Sequence, residues 1–134
     1  MKKDNKGFSL VELIIVIAIM AALIGILAPQ YLKYVQRSKV STDITNAQEL
    51  ATAINVAISD GLDISTTGIN NAPTVTAGGA VVTGLDGFNA MPTSKVDATY
   101  PWIITYTQSD GVSTITLGGA IIYPEASAYQ TANP

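Results

Sequence analysis

From Leu13 to Leu32 the chain carries no charged side chain, and Phe8 to Ala28 is almost wholly Ile, Leu, Val, Ala and Met. Wound as a helix, a run of about 20 such residues is about 30 Å long, the hydrocarbon thickness of a bilayer. No soluble fold of this size can hide so long a segment that is apolar all round. The segment must be covered by lipid, by other chains, or by each in turn. Lys2, Lys3 and Lys6 precede it, and the positive-inside rule puts that end in the cytoplasm and the remainder of the chain outside. A cleaved secretory signal fits poorly. Its apolar core is shorter, about 7–15 residues, and the one tempting site, Ile26-Leu27-Ala28 before Pro29, has a bulky residue where a small one belongs.

The 134 residues match one ordinary domain. Although 48% are hydrophobic and 13% charged, the apolar excess is concentrated in the N-terminal run, so the remainder reads as a polar, Thr/Ala/Gly-rich head. There is no Cys and no His, which excludes disulfides, thiolate chemistry, imidazole bases and Cys/His zinc sites. The first seven residues carry a net charge of +2 (three Lys against Asp4). Beyond Gly7, Lys33, Arg37, Lys39 and Lys95 face nine acidic residues, a net of −5. An acidic head is a poor match to phosphates, and no nucleic-acid partner is expected.

A plain membrane anchor accounts for the length of the run but not for Glu12, four residues into it. A carboxylate in lipid costs a few kcal/mol and marks function until shown otherwise. Its surroundings read Lys6-Gly7-Phe8-Ser9-Leu10-Val11-Glu12-Leu13. A short basic leader ends in Gly, an aromatic follows, and Glu comes four residues later, all ahead of the aliphatic run. This resembles the processing signature of type IV pilins, over Met1 to about Lys39 closely and over the head in general plan only.

The resemblance implies several things. A membrane-embedded prepilin peptidase cuts between Gly7 and Phe8 and methylates the new amine of Phe8. In the filament, Glu12 of one subunit meets the Phe8 amine of a neighbour, a pairing that removes much of the cost of an isolated buried carboxylate. The implied partners are other copies of the chain in a helical filament, the prepilin peptidase, an assembly platform and its ATPase, and the membrane before assembly. The implied location is the cytoplasmic membrane for the precursor and the cell surface for the filament. The expected function is the structural subunit of a type IV pilus, with a minor pilin or a pseudopilin of a secretion or DNA-uptake system as the alternative. An enzyme or binding domain on an ordinary anchor is the competitor from another class, and it would leave Met1 in place.

Helical periodicity continues past the apolar run. Val40, Ile44, Ala47, Ala51, Ile54 and Ile58 form a stripe, with Asp43, Asn46, Glu49 and Asn55 assigned to the other sides. Asp60-Gly61 reads as the stop, so Phe8–Ser59 would be one helix about 80 Å long. Gly25 and Pro29 soften it. Pro29 leaves the Gly25 carbonyl without its partner, and Gly25 costs about 1 kcal/mol against Ala. Lys33, Arg37 and Lys39 make a basic cluster in which Lys39 can reach Asp43.

The rest reads as sheet. Tyr100–Thr107 and Val112–Leu117 alternate as strands around a Ser109-Asp110-Gly111 hairpin turn. Ala120–Tyr123 reads as a further strand ended by Pro124, and Val75, Val81 and Val82 as a short strand or hairpin turning at Gly78-Gly79. The fold class is therefore α+β: a long N-terminal helix with a head of three or four antiparallel strands packed on its second half. The expected segments are a leader at 1–7, a transmembrane and filament-core helix at 8–28, an amphipathic helix at 29–61, and a loop plus sheet at 62–134. Asp86, Asp97 and Asp110 read as turn residues, and Tyr123 and Tyr129 as exposed aromatics covering a sheet edge. With no catalytic constellation and no oxygen-ligand cluster at calcium spacing, no enzyme activity, cofactor or metal is expected. The missing Cys departs from the many pilins whose C-terminal region a disulfide closes.

Overall fold

The N-terminal helix is set by its own sequence. In a computed structural model, which describes residues 6–61, 74–76, 92–107 and 109–134, α1 runs from Leu10 to Ser59 without a break at Pro29. At its C-terminal end the Asp60 N–H donates to the Val56 carbonyl at 2.9 Å and the Gly61 N–H to Ile58 at 3.1 Å. Gly61 adopts φ +80°, the left-handed cap that Asp60-Gly61 predicts. The other elements are β1 (Thr74–Thr76), β2 (Trp102–Thr107), β3 (Gly111–Leu117), β4 (Ala120–Tyr123) and a short α2 (Ser127–Ala132). The chain is α+β. Two compact units divide it, one up to Val35 and one from Gln36 to Pro134.

The first unit is helix with nothing of its own to bury against. Its large apolar side chains, from Leu10 at 74% to Val16 at 49%, are about half exposed or more. Contiguous apolar surface on that scale marks a membrane or subunit contact.

The second unit is built on the amphipathic part of α1. Val40, Asp43, Ala47, Leu50, Ala51 and Ile54 are buried on it, and Ile44 and Ile58 are half-buried against the same core. The buried seam thus steps by three and four residues, as predicted, but it takes in Asp43 and Leu50 and is centred to one side of the expected stripe. Each buried Leu or Ile contributes about 1.5–3 kcal/mol.

Across from it lies an antiparallel sheet in the order β1-β2-β3-β4. Trp102, Ile104 and Tyr106 of β2, Ile115 and Leu117 of β3, and Ile122 of β4 complete the core with Tyr129. β2 starts at Trp102, not Tyr100. Pro101 has no N–H for the ladder, and the Tyr100 N–H turns back to the Asp97 carbonyl at 3.0 Å. In the β2–β3 ladder Tyr106 opposes Val112 while Thr105 opposes Thr114, so Ser113 is the extra residue of a bulge. The bulge resets the alternation, leaving Ser113 exposed while Ile115 and Leu117 point inward.

Two turns need glycine. Gly111 opens β3 at φ +82°, and Gly118 and Gly119, at φ +58° and +85°, make the two-residue β3–β4 turn, for which positive φ at both positions matches strand twist. Val75 lies in β1. The expected Val81 and Val82 strand, the Gly78-Gly79 turn, Asp86, and Lys2, Lys3 and Asp4 of the leader lie outside the described residues.

Candidate functional sites

The N-terminal motif folds into a reciprocal cap. Ser9-Leu10-Val11-Glu12 has the Ser-x-x-Glu spacing of a capping box. The Glu12 N–H donates to Ser9 Oγ at 3.2 Å, and the Ser9 N–H donates to Glu12 Oε2 at 3.0 Å. Glu12 therefore has a local task in the isolated chain, closing the free N–H groups of the first turn, where its charge also suits the helix dipole. Phe8, just outside the cap, is 89% exposed. A side chain at Gly7 or at Gly25 would meet nothing within 4 Å, so no contact inside the chain demands glycine at either place. Around Pro29, Tyr31, Leu32 and Tyr34 are about two-thirds exposed, at 68%, 67% and 67%.

In the second unit the most constrained polar group is Asp43, which has no exposed surface. It does not sit on the solvent side of α1, as its polarity predicts, and its partner is not Lys39. Its carboxylate accepts four hydrogen bonds. Lys95 N–H donates to Oδ1 at 2.7 Å, and Ser94 Oγ, Val96 N–H and Tyr129 Oη donate to Oδ2 at 2.7, 3.3 and 2.8 Å. Ser94 Oγ in turn accepts the Asp97 N–H at 3.2 Å. One carboxylate thus joins the helix, the 94–96 segment and α2. Among the described residues no buried side-chain polar atom lacks a partner.

Tyr129 is the other surprise. It is fully buried, not an exposed aromatic, and burial first and Asp43 second push its hydroxyl well above the ordinary tyrosine range. Tyr123 is half-buried against the core. Helix and sheet are tied at Asn55, whose Oδ1 accepts the Val112 N–H at 2.8 Å and sits where a Gly111 side chain would go.

Asp97 does serve a turn. Its Oδ1 accepts the Thr99 hydroxyl at 2.7 Å and the Thr99 N–H at 2.8 Å. The hydroxyl first and the amide second hold its carboxyl below the ordinary range. Asp110 lies in the hairpin turn. Among the described residues, no three acidic side chains converge in a way that could hold a metal ion.

Comparison with known proteins bears on both ends of the chain. Residues 2–28 match the family model of the prokaryotic N-terminal methylation motif. The chain is 32% identical over 123 residues to a fimbrial protein of Pseudomonas aeruginosa, covering 90% of this chain and 78% of that one. It is 44% identical over 61 residues to the type IV major fimbrial protein FimA of Dichelobacter nodosus, and there the match spans 46% of this chain and 39% of the relative's length. A probable minor fimbrial protein of the same organism is 36% identical over 82 residues, 61% of this chain and 52% of that one. No solved structure matches.

Proposed function

The chain belongs to the type IV pilin family, and from that premise we propose that it is the structural subunit of a surface pilus, polymerising through the apolar half of α1. The observation that carries this reading is the bare aliphatic surface from Leu10 to Leu27, which begins one residue after the Gly7-Phe8-Ser9 motif. In lipid that surface is solvated by acyl chains. In a bundle of identical helices the same side chains meet one another, so transfer from membrane to filament is nearly neutral and an ATP-driven assembly machine can drive it.

In this reading a prepilin peptidase removes residues 1–7 and methylates Phe8. The open space around Gly7 supports it, because a glycine that the chain itself does not need suits an extended backbone lying in a protease. The precursor sits in the cytoplasmic membrane with its basic end inside and its head outside, and Gly25–Pro29 is the stretch that softens when subunits pack. Glu12 meets the Phe8 ammonium of a neighbour. The likeness to a probable minor fimbrial protein favours a second reading, a minor subunit of the same filament.

The cap at Ser9 supplies a sharper test of Glu12 than removal of its side chain. Gln at this position closes a capping box as well as Glu does but carries no charge. Glu12→Gln should still lose its leader and gain its methyl group, both read by the mass of the mature N-terminus, yet give few or misregistered filaments by electron microscopy. Normal filaments from Glu12→Gln would reduce Glu12 to a helix cap. An intact Met1 on the wild-type chain would remove the pilin reading itself.

A further inference from the structure

The head carries its charges unevenly along α1. Arg37 and Lys39 lie exposed at the start of its amphipathic part, and Glu49 and Asp60 lie exposed toward its end. Asp43, between them, is consumed by its four internal donors. Lys95, the remaining base of the described head, is held at the Asp43 level by its own backbone N–H. Asp97, whose N–H donates to Ser94 Oγ at 3.2 Å, is a carboxylate at that same level. Beyond it, among the described residues, there is no base. The far end is negative, and the carbonyl end of the helix dipole adds to that sign.

Beside Arg37 is a groove of about 460 Å³. Arg37, Val40, Ser41 and Ile44 form one wall, and Gln130, Asn133 and Pro134 stand opposite. The groove is pre-formed. Tyr129, one residue before Gln130, is fixed to α1 through Asp43 at 2.8 Å, so α2 cannot swing to fill it without breaking that bond. The floor is apolar at Val40 and Ile44, the rim offers amides, and the Arg37 guanidinium makes no ion pair with a carboxylate side chain among the described residues.

We propose that this groove receives a second copy of the chain, with Arg37 paired to Glu49 or Asp60 of that copy. The inference rests on the pilus-subunit reading and specifies how heads stack. Copies inserted in one membrane share an orientation, so a base at one level of α1 reaches an acid at a higher level only if the copies are staggered along the axis. At about 1.5 Å per residue the stagger is about 18 Å for Glu49 and about 35 Å for Asp60. Such a contact joins two different patches and cannot close on itself in a pair. It is heterologous, and repeated it makes an open helix. Arg in place of Lys suits the role, since its planar fork binds a carboxylate through two parallel bonds.

The chain has no Cys, so Ser41→Cys places one thiol in the groove. Detergent-dispersed subunits should react readily with a charged maleimide, and filaments of the same variant at least tenfold more slowly. Arg37→Glu in that background should keep leader loss and Phe8 methylation, and native Trp102 fluorescence, while filament yield falls several-fold. A second exchange, Glu49→Arg or Asp60→Arg, should restore yield and thiol protection together. Filaments in which the introduced thiol labels as fast as in the dispersed subunit, or Arg37→Glu filaments formed in normal yield with the thiol still protected, overturn the groove. A retained leader on the unmodified chain overturns the subunit reading instead, so the two failures are told apart by the N-terminal mass.

Discussion

Replacing Asp43 by Ala should unfold the head more readily than any change to an exposed residue. The substitution strands four donors: the hydroxyls of Ser94 and Tyr129 and the amides of Lys95 and Val96. Hydroxyls can rotate toward another acceptor, but amides cannot. Each buried donor left without a partner costs about 1–3 kcal/mol, and the two amides are only part-buried, so the loss is on the order of 3–5 kcal/mol. A domain of this size has about 5–15 kcal/mol in total. At about 4–8 °C per kcal/mol, the midpoint should drop by roughly 12–40 °C. Asp43→Asn keeps the shape and one acceptor oxygen but turns an NH₂ toward the Val96 N–H, and should fall between Ala and wild type. Trp102 is the sole Trp; it is buried, and its Nε1–H donates to the Pro92 carbonyl at 2.8 Å. Its fluorescence in the full, detergent-dispersed chain therefore reports the head alone. A midpoint for Asp43→Ala within about 3 °C of wild type, less than one kcal/mol, would show that water replaces the carboxylate at little cost and that the hub argument is wrong.

Other consequences are simpler to check. The Tyr129 hydroxyl titrates higher in the folded head than its ordinary value of 10.0, so its contribution is complete below that value and is lost as pH rises through and beyond it. The wild-type midpoint should fall from about pH 9 to about pH 11, and Tyr129→Phe, less stable at neutral pH, should show a shallower fall; parallel curves would refute this. Gly118 and Gly119 both have positive φ, but a side chain at Gly118 would meet the Tyr100 ring at 2.5–2.8 Å while one at Gly119 meets nothing within 4 Å. Gly118→Ala should therefore cost about 2–4 kcal/mol and Gly119→Ala about 1, measured by Trp102 fluorescence in denaturant, and the reverse order would contradict the packing.

What can be read from the sequence follows the strength of local rules. The apolar run, the Asp60-Gly61 stop and the Gly111 hairpin are each dictated by residues close together and each is where the pattern puts it, whereas the 3.6-residue stripe is right in period and shifted to one side. Polarity alone misplaces Asp43, because it assigns a carboxylate to the wet side of a helix. The burial of Asp43 depends on donors 51 to 86 positions away, which no local pattern displays. Its spacing does hold a clue, since 40, 43, 47, 50 and 54 step by three and four as regularly as the stripe drawn through Ile44. Tyr129 and α2 escape a local reading for the same reason: six residues are too few to form a helix unaided, and this one exists because its tyrosine is anchored elsewhere. The Ser9–Glu12 cap, by contrast, is legible as Ser-x-x-Glu and is overshadowed by the longer motif around it.

Glu12 and Asp43, both on α1, obey one physical rule with different outcomes. Each occupies a position where an aliphatic residue would be cheaper, and a buried polar group that must find particular partners fixes position more than it adds stability. In the head the partners belong to the same chain. Asp43 holds the 94–96 segment and the C-terminal helix in register, which is the task a disulfide would perform, and it does so without an oxidant. At the N-terminus, among the described residues, Glu12 has a single donor, the Ser9 N–H, on one oxygen of the two. A glutamine would satisfy that cap equally and would enter lipid at lower cost. The cap itself does not need the charge, which in the isolated subunit serves the helix dipole alone. On the proposed reading, a cation from a neighbouring subunit, present once the leader is gone, is what makes a glutamate the better residue there.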